Sequence, residues 1–369
     1  MIRPRNSSIQ LSNAQVVPAK LLAWFERHGR TLPWRNPQIS DPYRTWLSEV
    51  MLQQTTVATV KKYFIDFTER WPTVDDLAKA NINEVFHAWQ GLGYYARARH
   101  LHACANKIVR DYQGRFPSNE IELRTLPGIG PYTAAAIASI AFNQPAAAVD
   151  TNIERVVARL EGIQESGHKL RRSVQALMGR MVPDHRPGDY VQAMMDLGSA
   201  ICTPKQPLCV DCPLSANCFA YLNNQTDQLP MKPVKSVKPK RYGVIFWLEN
   251  KENSAVFLRQ RPLKGLLAGM IEIPSTPWLE KDWRGVEIGE YAPHPIKWRD
   301  HSGLVKHGFT HFDLELRMVT ARISQSTVID PKAGFWCLPA EFAKQAFPTL
   351  MKKVIKAINP SLLQLPATK

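Results

Sequence analysis

The hydrophobic periodicity of this chain changes near residue 225, and this change restricts the folds that the chain can adopt. Upstream, apolar residues recur at i, i+4, i+7 and i+8, as on one helix face, for example at Val17, Leu21, Trp24 and Phe25. Downstream, the stretch "HFDLELRMV" alternates apolar and charged residues, which is typical of a half-buried strand. The sequence therefore predicts a multidomain protein, with an all-α domain followed by a smaller α+β domain.

The predicted domain boundaries follow the composition. Residues 1–225 form the helical domain, and residues 226–241, which are polar, basic and rich in proline, form a linker. Residues 242–369 form the second domain, in which "RYGVIFWLENKENSAVFLRQ" predicts two strands about a polar turn. A final helix is predicted over residues 340–358.

The charge of the chain indicates a polyanionic partner. Its 369 residues carry 47 Lys and Arg against 32 Asp and Glu, a formal net charge of +15. Nucleic acid is the first candidate and an anionic membrane surface the second. No apolar run approaches the ~20 residues that span a bilayer. Residues 1–25 lack acidic residues, but Pro4 and Pro18 favour a short disordered basic arm over a transit peptide. A cytoplasmic location is expected, with organellar targeting left open.

Four of the six cysteines lie in one short loop with the spacing C-x6-C-x2-C-x5-C: Cys202, Cys209, Cys212 and Cys218. A reducing compartment disfavours disulfides, so the loop predicts a metal site. Zinc and an iron–sulfur cluster are both compatible with four thiolates, and the single compact loop favours one cluster. The remaining two, Cys104 and Cys337, are expected to be small buried hydrophobes.

The stretch "LPGIGPYTAAAIASIAF" at residues 126–142 predicts a tight turn between two helices. Gly128 and Gly130 allow backbone conformations that a Cβ would block, and Pro131 suits a first helical position. The free N–H groups of the second helix can then bind a DNA phosphate. The alternative is a tight corner without a ligand. The stretch resembles the helix–hairpin–helix element of base-excision DNA glycosylases.

Two carboxylates predict glycosidic chemistry when they are taken together. Asp150 precedes a helical run, where it is either an N-cap or a carboxylate directed into a cleft. Glu49 lies on a helix flank, one turn before Gln53, where a glutamate is ordinarily solvated. Hydrolysis of an N-glycosidic bond needs an acid for the leaving base and an anion for the sugar cation.

The order of six motifs resembles that of the MutY adenine DNA glycosylases. They are "WLSEVMLQQT", "GLGYYARARHLH", "LPGIGPYTAAAI", "VDTNIERVVARL", "QAMMDLG" and the four-cysteine loop. In the second domain, "LLAGMIEIP" and "FTHFDLELRM" resemble the Nudix-like module that these enzymes use to recognise 8-oxoguanine.

The resemblance assigns roles to residues of the helical domain. Glu49 would protonate adenine and later help to activate water, and Asp150 would stabilise the oxocarbenium ion. Tyr132 and Asn152 would line the same pocket, and Gln192 would contact the extruded adenine.

Further roles concern DNA. Gln54 and Tyr94 would hold the duplex open, although Tyr94 could instead be a core aromatic. Gln53 would contact the substrate, and the hairpin glycines Gly128 and Gly130 a phosphate. The four cysteines would hold one 4Fe–4S cluster.

The second domain would read the lesion through Phe309, Thr310 and His311, although these could instead form a plain turn before a strand. The partner implied is duplex DNA with adenine opposite 8-oxoguanine or guanine. No membrane partner is expected, the protein would be a monomer, and repair or replication proteins could meet it.

Two sequence features that are absent restrict the reactions expected of this chain. Related bifunctional glycosylases carry a Schiff-base lysine where this chain has Tyr132, so strand cleavage is not expected. Residues 275–290 lack the glutamate pattern of Nudix hydrolases. The alternatives are a bifunctional glycosylase for oxidised pyrimidines and a non-enzymatic iron–sulfur regulator that binds DNA.

Four positions depart from the family pattern. Thr151 replaces a glycine, which would strain a left-handed backbone there. Val191 replaces an asparagine, Ile271 a tryptophan, and Thr310 a serine. These departures predict intact catalysis and bear most on lesion recognition.

Overall fold

A computed structural model describes residues 13–35, 41–232, 237–262, 265–324, 329–330, 333–345 and 347–363. These residues divide into two compact units. The first comprises the described residues up to Ala80 and from His100 to Lys232, and the second comprises Asn81–Arg99 with the described residues from Val237 onward. The predicted domain boundaries did not foresee that the segment Asn81–Arg99 groups with the second unit.

Twelve helices precede the strands in the described chain, and one follows them. In chain order they are α1 (Asn13–His28), α2 (Pro42–Leu52), α3 (Val57–Arg70), α4 (Val74–Lys79), α5 (Ile82–Ala88), α6 (Ala96–Tyr112), α7 (Glu120–Leu123), α8 (Pro131–Phe142), α9 (Thr151–Glu161), α10 (Gly167–Met181), α11 (Pro187–Ala200), α12 (Phe219–Leu222) and α13 (Thr349–Ile358).

Local signals explain where the helices that matter most begin. The Asp41 carboxylate accepts from the backbone N–H groups of Tyr43 and Arg44 and so caps α2, with Pro42 at the first position. Pro131 likewise opens α8, as the sequence predicts. Gly128 has φ +76°, and a Cβ there would lie 2.6 Å from the His100 Cβ, so the hairpin requires glycine at this position. Gly130 has an ordinary φ of −88°.

Helix α8 lies at the centre of the first unit, where it packs against α2 and α11, and α9 packs against α10 and α11. Small residues permit these close approaches: a Cβ at Gly198 of α11 would lie only 2.7 Å from the Cβ of Asn152 on α9. The result is that the starts of α8 and α9 and the end of α2 meet around one groove.

The second unit contains a six-stranded mixed sheet. Its strands are β1 (Lys240–Asn250), β2 (Val256–Gln260), β3 (Ile271–Glu272), β4 (Arg299–Gly308), β5 (Asp313–Ile323) and β6 (Phe335–Cys337). The order is β3-β2-β1-β5-β4, with β6 also paired to β2. β1 and β5 are parallel, from Lys240 opposite Asp313 to Asn250 opposite Ile323, and the other pairs are antiparallel.

The alternation predicted around β5 is confirmed. Phe312, Leu314, Leu316 and Met318 are buried in one core cluster, which α13 covers with Leu350, Met351, Val354 and Ile355. Asp313 on the opposite face is exposed. Side chains on the two faces of β1 likewise belong to two different clusters, Ile245 to the first and Phe246 to the second.

Two predictions about the ends of the chain need correction. The predicted helix over 340–358 is a 3-10 helix at Pro339–Lys344 followed by α13, because Pro348 disfavours a helical conformation at the residue before it. The predicted disordered arm over 1–25 is wrong from Asn13 onward, since α1 runs through Pro18 and buries Val17 and Leu21. Residues 1–12 lie outside the described residues.

None of the described helices combines the length and the apolar character that crossing a membrane requires.

Candidate active site

Glu49 is the buried acid of the first unit. It lies on α2 with 7% of its surface exposed, and its Oε2 accepts a 2.7 Å hydrogen bond from the Tyr132 hydroxyl on α8. The apolar run around Glu49 places it on the inner side of α2, where Leu47 and Met51 are fully buried. The solvated flank position that a helix glutamate ordinarily takes does not apply here.

The pKa of Glu49 is raised from 4.5 to about 7; burial is the largest cause and the nearby Asp150 acts in the same direction, whereas the Tyr132 hydrogen bond and Arg35 lower it. The pKa of Tyr132 is raised well above its usual value, first by burial and then by Glu49 and Asp150. Tyr132 therefore remains a hydrogen-bond donor, and Glu49 can hold a proton near neutral pH.

Asp150 is both an N-cap and a carboxylate of the site, so the two interpretations of its position hold together. One oxygen accepts from the Ile153 backbone N–H at 2.7 Å, and the other accepts from the Asn152 amide at 2.8 Å. Thr151 is the first residue of α9 and is not among the described residues with positive φ. The expected strain at Thr151 is therefore absent.

A groove of about 940 Å³ brings most of the predicted residues together. Its lining includes residues from α2, α8 and α9, namely Glu49, Gln53, Gln54, Tyr132, Asp150 and Asn152. The volume lies in the range of ~300–1,000 Å³ that is typical of ligand pockets. A narrower cavity continues from it past Glu49 and is lined by Trp34, Ile140 and Gln192, among others.

A buried ion cluster beside this cavity was missed in the sequence. Asp196 on α11 is 1% exposed and accepts from Arg30 and Arg35 through both of its oxygens, at 2.7–2.9 Å. Burial opposes ionisation, but hydrogen bonds from Arg35 and Arg30 keep the pKa of Asp196 below its usual value. The only signal in the sequence was a lone aspartate within the apolar run "QAMMDLG", because buried aspartates are nearly always paired.

Arg155 connects the site to the cysteine loop. Its Nη2 donates to Asn152 Oδ1 at 2.9 Å and to the Gly198 carbonyl at 2.7 Å, and its Nε donates to the Cys202 carbonyl at 2.7 Å. Because Asn152 in turn donates to Asp150, a continuous chain of hydrogen bonds joins Cys202 to the Asp150 carboxylate.

The four cysteines are half-buried and lie near one another. The pKa of Cys212 is raised to about 12, chiefly by burial and also by the other three thiols, whereas a backbone hydrogen bond from Leu214 lowers it. Arg159 Nη1 lies 3.3 Å from Cys202 Sγ and offers positive charge to a thiolate. The donor set suits a thiophilic metal centre, although no group of three or more His, Cys, Asp or Glu side chains among the described residues is already arranged around a metal position.

The two predicted wedges share an unusual backbone. Gln54 has φ 58° and Tyr94 has φ 48°, values that non-glycine residues seldom adopt outside functional or turn positions. Both side chains are exposed, whereas the neighbouring Tyr95 is buried, so only Tyr94 of that pair is free to stack on a base. The Tyr94 hydroxyl lies 3.3 Å from Thr310 Oγ1 within the second unit.

The predicted lesion-reading residues form the turn between β4 and β5. Thr310 and His311 are exposed, whereas Phe309 is half-buried against the core of the sheet. In this turn, Phe309 therefore packs against the sheet, whereas Thr310 and His311 are accessible to a ligand.

The sequence matches two family profiles. The profile described as HhH-GPD superfamily base excision DNA repair protein matches residues 47–181. The profile described as a NUDIX domain matches residues 244–357. The first match contains Glu49, Tyr132 and Asp150, and the second contains the turn between β4 and β5.

Individual relatives extend these matches over most of the chain. The chain is 34% identical over 396 residues to the adenine DNA glycosylase of Homo sapiens, covering 91% of this chain and 72% of that protein. It is 35% identical over 247 residues to the adenine DNA glycosylase of Buchnera aphidicola subsp. Baizongia pistaciae (strain Bp), covering 64% and 70%. Among solved structures, a thermostable thymine-DNA glycosylase superposes with a TM-score of 0.52 at 30% identity, over 57% of this chain and 97% of that one.

Proposed function

Because this chain belongs to the adenine DNA glycosylase family and removes adenine from DNA in base excision repair, we propose that its substrate is adenine paired with 8-oxoguanine or guanine. The observation that carries the assignment of residues is the buried Glu49, hydrogen-bonded to Tyr132 and next to Asp150. The site holds a proton donor on α2 and an anion at the start of α9, which is what the reaction requires.

Glu49 supplies the proton. With a pKa of about 7 it is protonated in a large fraction of molecules at neutral pH. It donates this proton to the N7 of the extruded adenine, so that the base leaves as a neutral molecule when the bond to C1′ breaks. The resulting carboxylate then accepts a proton from the attacking water.

Asp150 stabilises the positive charge that develops on the sugar. Its two hydrogen bonds, from Asn152 and from Ile153, fix the carboxylate before the substrate arrives. A preorganised charge of this kind needs no reorganisation at the moment of bond cleavage.

Further side chains would hold the substrate. Adenine must leave the duplex at a cost of a few kcal/mol, and Gln54 and Tyr94, each exposed in its own unit, have side chains that can insert into opened DNA. The start of α8 carries no side-chain cap, so its free N–H groups are available to a DNA phosphate beside Gly128 and Gly130.

Hydrolysis ends with an abasic site and an intact strand. The described residues that line the groove include arginines but no lysine that could form a Schiff base. Tyr132 occupies the hairpin position where such a lysine would lie, and its pKa is too high for it to act as a nucleophile.

Cys202, Cys209, Cys212 and Cys218 would hold one 4Fe–4S cluster. The cluster would supply structural cross-linking of the loop, with each thiol giving up its proton on binding. Arg159 would offset part of the negative charge, since it contacts Cys202 and also binds the carbonyls of Thr203 and Leu229. Iron analysis and the visible absorption spectrum test this, and stoichiometric zinc in a colourless protein would contradict it.

Thr310 and His311 would recognise 8-oxoguanine. The lesion carries an N7–H where guanine has an acceptor, and the Thr310 hydroxyl can accept from that donor. Because both side chains are exposed on a turn supported by the sheet, they can reach a nucleic acid without rearrangement of the core.

We place the reaction in the cytoplasm, carried out by a monomer.

The test is a single-turnover assay of the full-length protein on duplexes with adenine opposite 8-oxoguanine, guanine or thymine. We expect excision from the first two, with 8-oxoguanine preferred, and strand breakage only after hot alkali. Borohydride trapping of an imine as efficiently as excision would point instead to a bifunctional enzyme. Binding without excision would indicate a regulator.

A further inference from the structure

The turn between β4 and β5 rests on aromatic rings on its inner side. The Phe309 backbone N–H donates to the Phe312 carbonyl at 2.9 Å, which closes the turn and leaves Thr310 and His311 at its tip. Phe312 is buried, and its ring centroid lies 4.9 Å from that of Phe309. Phe309 and Phe312 therefore form the base on which the tip of the turn rests.

Trp278 supports Phe309 from a different part of the chain. The two rings are stacked, with centroids 5.8 Å apart and planes at 27°. The guanidinium carbon of Arg261 lies 5.0 Å from the Trp278 ring centroid, close enough for a cation–π contact. Arg261 also pairs with Glu272, a buried carboxylate that accepts a 2.7 Å bond from Arg259 as well.

The sheet has room for this indole because position 243 is a glycine. A Cβ on Gly243 would lie 2.7 Å from Trp278 Cδ1, closer than non-bonded carbon atoms approach. Among the described residues, no acceptor pairs with the Trp278 indole N–H. Backbone hydrogen bonds of Thr276 with Val244 and of Leu279 with Tyr242 hold the segment against β1, but no side-chain hydrogen bond orients the indole, which contacts the Phe309 ring and Arg261.

Lys238 and Arg241 contact the other side of the turn. Lys238 Nζ donates to the Phe309 carbonyl at 3.0 Å, and the Arg241 guanidinium carbon lies 4.5 Å from the Phe312 ring centroid. Stacking on one side and a charged hydrogen bond on the other fix both the ring and the backbone of Phe309.

We propose that Trp278, held by Arg261 over Gly243, is a positioning residue for lesion recognition. It fixes Phe309 as the base of the turn, so that the hydroxyl of Thr310 is presented in one place. This inference rests on the proposed preference for 8-oxoguanine. A hydrogen bond is lost when its geometry changes by a few tenths of an ångström to an ångström, so support under the turn matters as much as the residue at its tip.

The experiment compares Trp278→Leu with Trp298→Leu in the full-length protein. Trp298 is a matched control, because it is also half-buried, packs edge-on against Phe246 at 5.1 Å and has an unpartnered indole N–H. It belongs to the cluster on the opposite face of the sheet. Excision rates are measured on adenine opposite 8-oxoguanine and opposite guanine, and thermal unfolding checks that each variant is folded.

We expect Trp278→Leu to lower the ratio of the two rates by about five- to thirtyfold, the equivalent of one lost polar contact. The rate opposite guanine should stay unchanged, Trp298→Leu should retain the ratio, and Trp278→Phe should recover it by restoring a flat ring. Lys238→Met, which removes the bond to the Phe309 carbonyl together with one positive charge, should move the ratio in the same direction.

An unchanged ratio in Trp278→Leu, or an equal loss in Trp298→Leu, would overturn the positioning role. A wild-type protein without any preference for 8-oxoguanine would instead refute the proposed substrate, so the two failures are distinguishable.

Discussion

The Glu49 site and the turn between β4 and β5 differ in how far their key side chains are buried. In the first unit, Glu49 is 7% exposed and is held by Tyr132, so its environment changes its chemistry. In the second unit, Thr310 and His311 are exposed on a turn. Burial generates reactivity at the first site, whereas the second site depends on placement alone.

This difference separates the expected effects of substitution. A change in the buried pocket should slow excision of adenine from every duplex, since each substrate needs the same proton and the same anion. A change at the turn should alter only the choice between duplexes. The comparison would be contradicted if a change in the buried pocket altered only the preference between duplexes, or if a change at the turn slowed excision from every duplex.

The largest effect is expected for Glu49→Gln. The amide keeps the shape and can still accept from Tyr132, but it cannot donate the proton or take one from water. Excision should fall by about 10⁴-fold on every duplex, the upper end of general acid–base contributions. Duplex binding should persist, which a gel-shift titration checks, and the exposed Glu69→Gln should behave as wild type. Excision near the wild-type rate would remove Glu49 from the mechanism.

The second largest loss of excision rate is expected for Asp150→Asn. Asparagine still caps α9 through the same oxygen, so the helix should form, but the negative charge is lost. We expect a rate loss of about 10²–10³-fold, as for other preorganised electrostatic groups. Asp41→Asn alters an N-cap outside the site and should leave the rate unchanged. Equal losses in both variants would reduce Asp150 to a helix cap.

The third prediction concerns pH. Since Glu49 must be protonated and its pKa is about 7, the rate of the chemical step should be level below pH 7 and fall about tenfold per unit above it. Tyr132 stabilises the carboxylate, so Tyr132→Phe should raise the pKa and move this alkaline limb to higher pH. Single-turnover rates from pH 5 to 9 test the position of the limb, whatever the height of the plateau. A limb that moves to lower pH would contradict the assignment.

At the turn, Thr310→Ala should reduce the preference for 8-oxoguanine over guanine by about five- to thirtyfold, the loss of one hydrogen bond. The rate on adenine opposite guanine should not change. Serine at position 310 keeps the hydroxyl and should have the smallest effect of the series. If Thr310→Ala slows both duplexes equally, the turn serves general binding and the contrast between the regions disappears.

Local patterns predicted much of this structure. The cap at Asp41, the proline at the start of α8 and the alternation of β5 depend on residues within a few positions of one another. The final helix was predicted over residues 340–358, whereas the structure has a 3-10 helix at Pro339–Lys344 and then α13, with Pro348 between them. The spacing of Val17, Leu21, Trp24 and Phe25 predicted the buried face of α1, but Pro18 was expected to spoil the helix, whereas α1 runs through Pro18.

Long-range pairs could not be predicted. Asp196 meets Arg30 and Arg35, which lie 166 and 161 residues away, and Tyr94 meets Thr310, 216 residues away. No local spacing encodes such contacts, and an aspartate in an apolar run shows only that it needs a partner. The same holds for the support of Phe309 by Trp278, which depends on how the strands pair.

The burial of Glu49 also makes folding itself a proton-binding reaction. The unfolded chain releases this proton near pH 4.5, whereas the folded chain keeps it up to about pH 7. Glu49 therefore contributes stability that is complete below pH 4.5 and is lost as the pH rises through 7, about 3 kcal/mol in all at 1.36 kcal/mol per unit. Refolding at pH 6 should draw close to one proton from the buffer through this group, and the heat of refolding should vary with the ionisation enthalpy of the buffer.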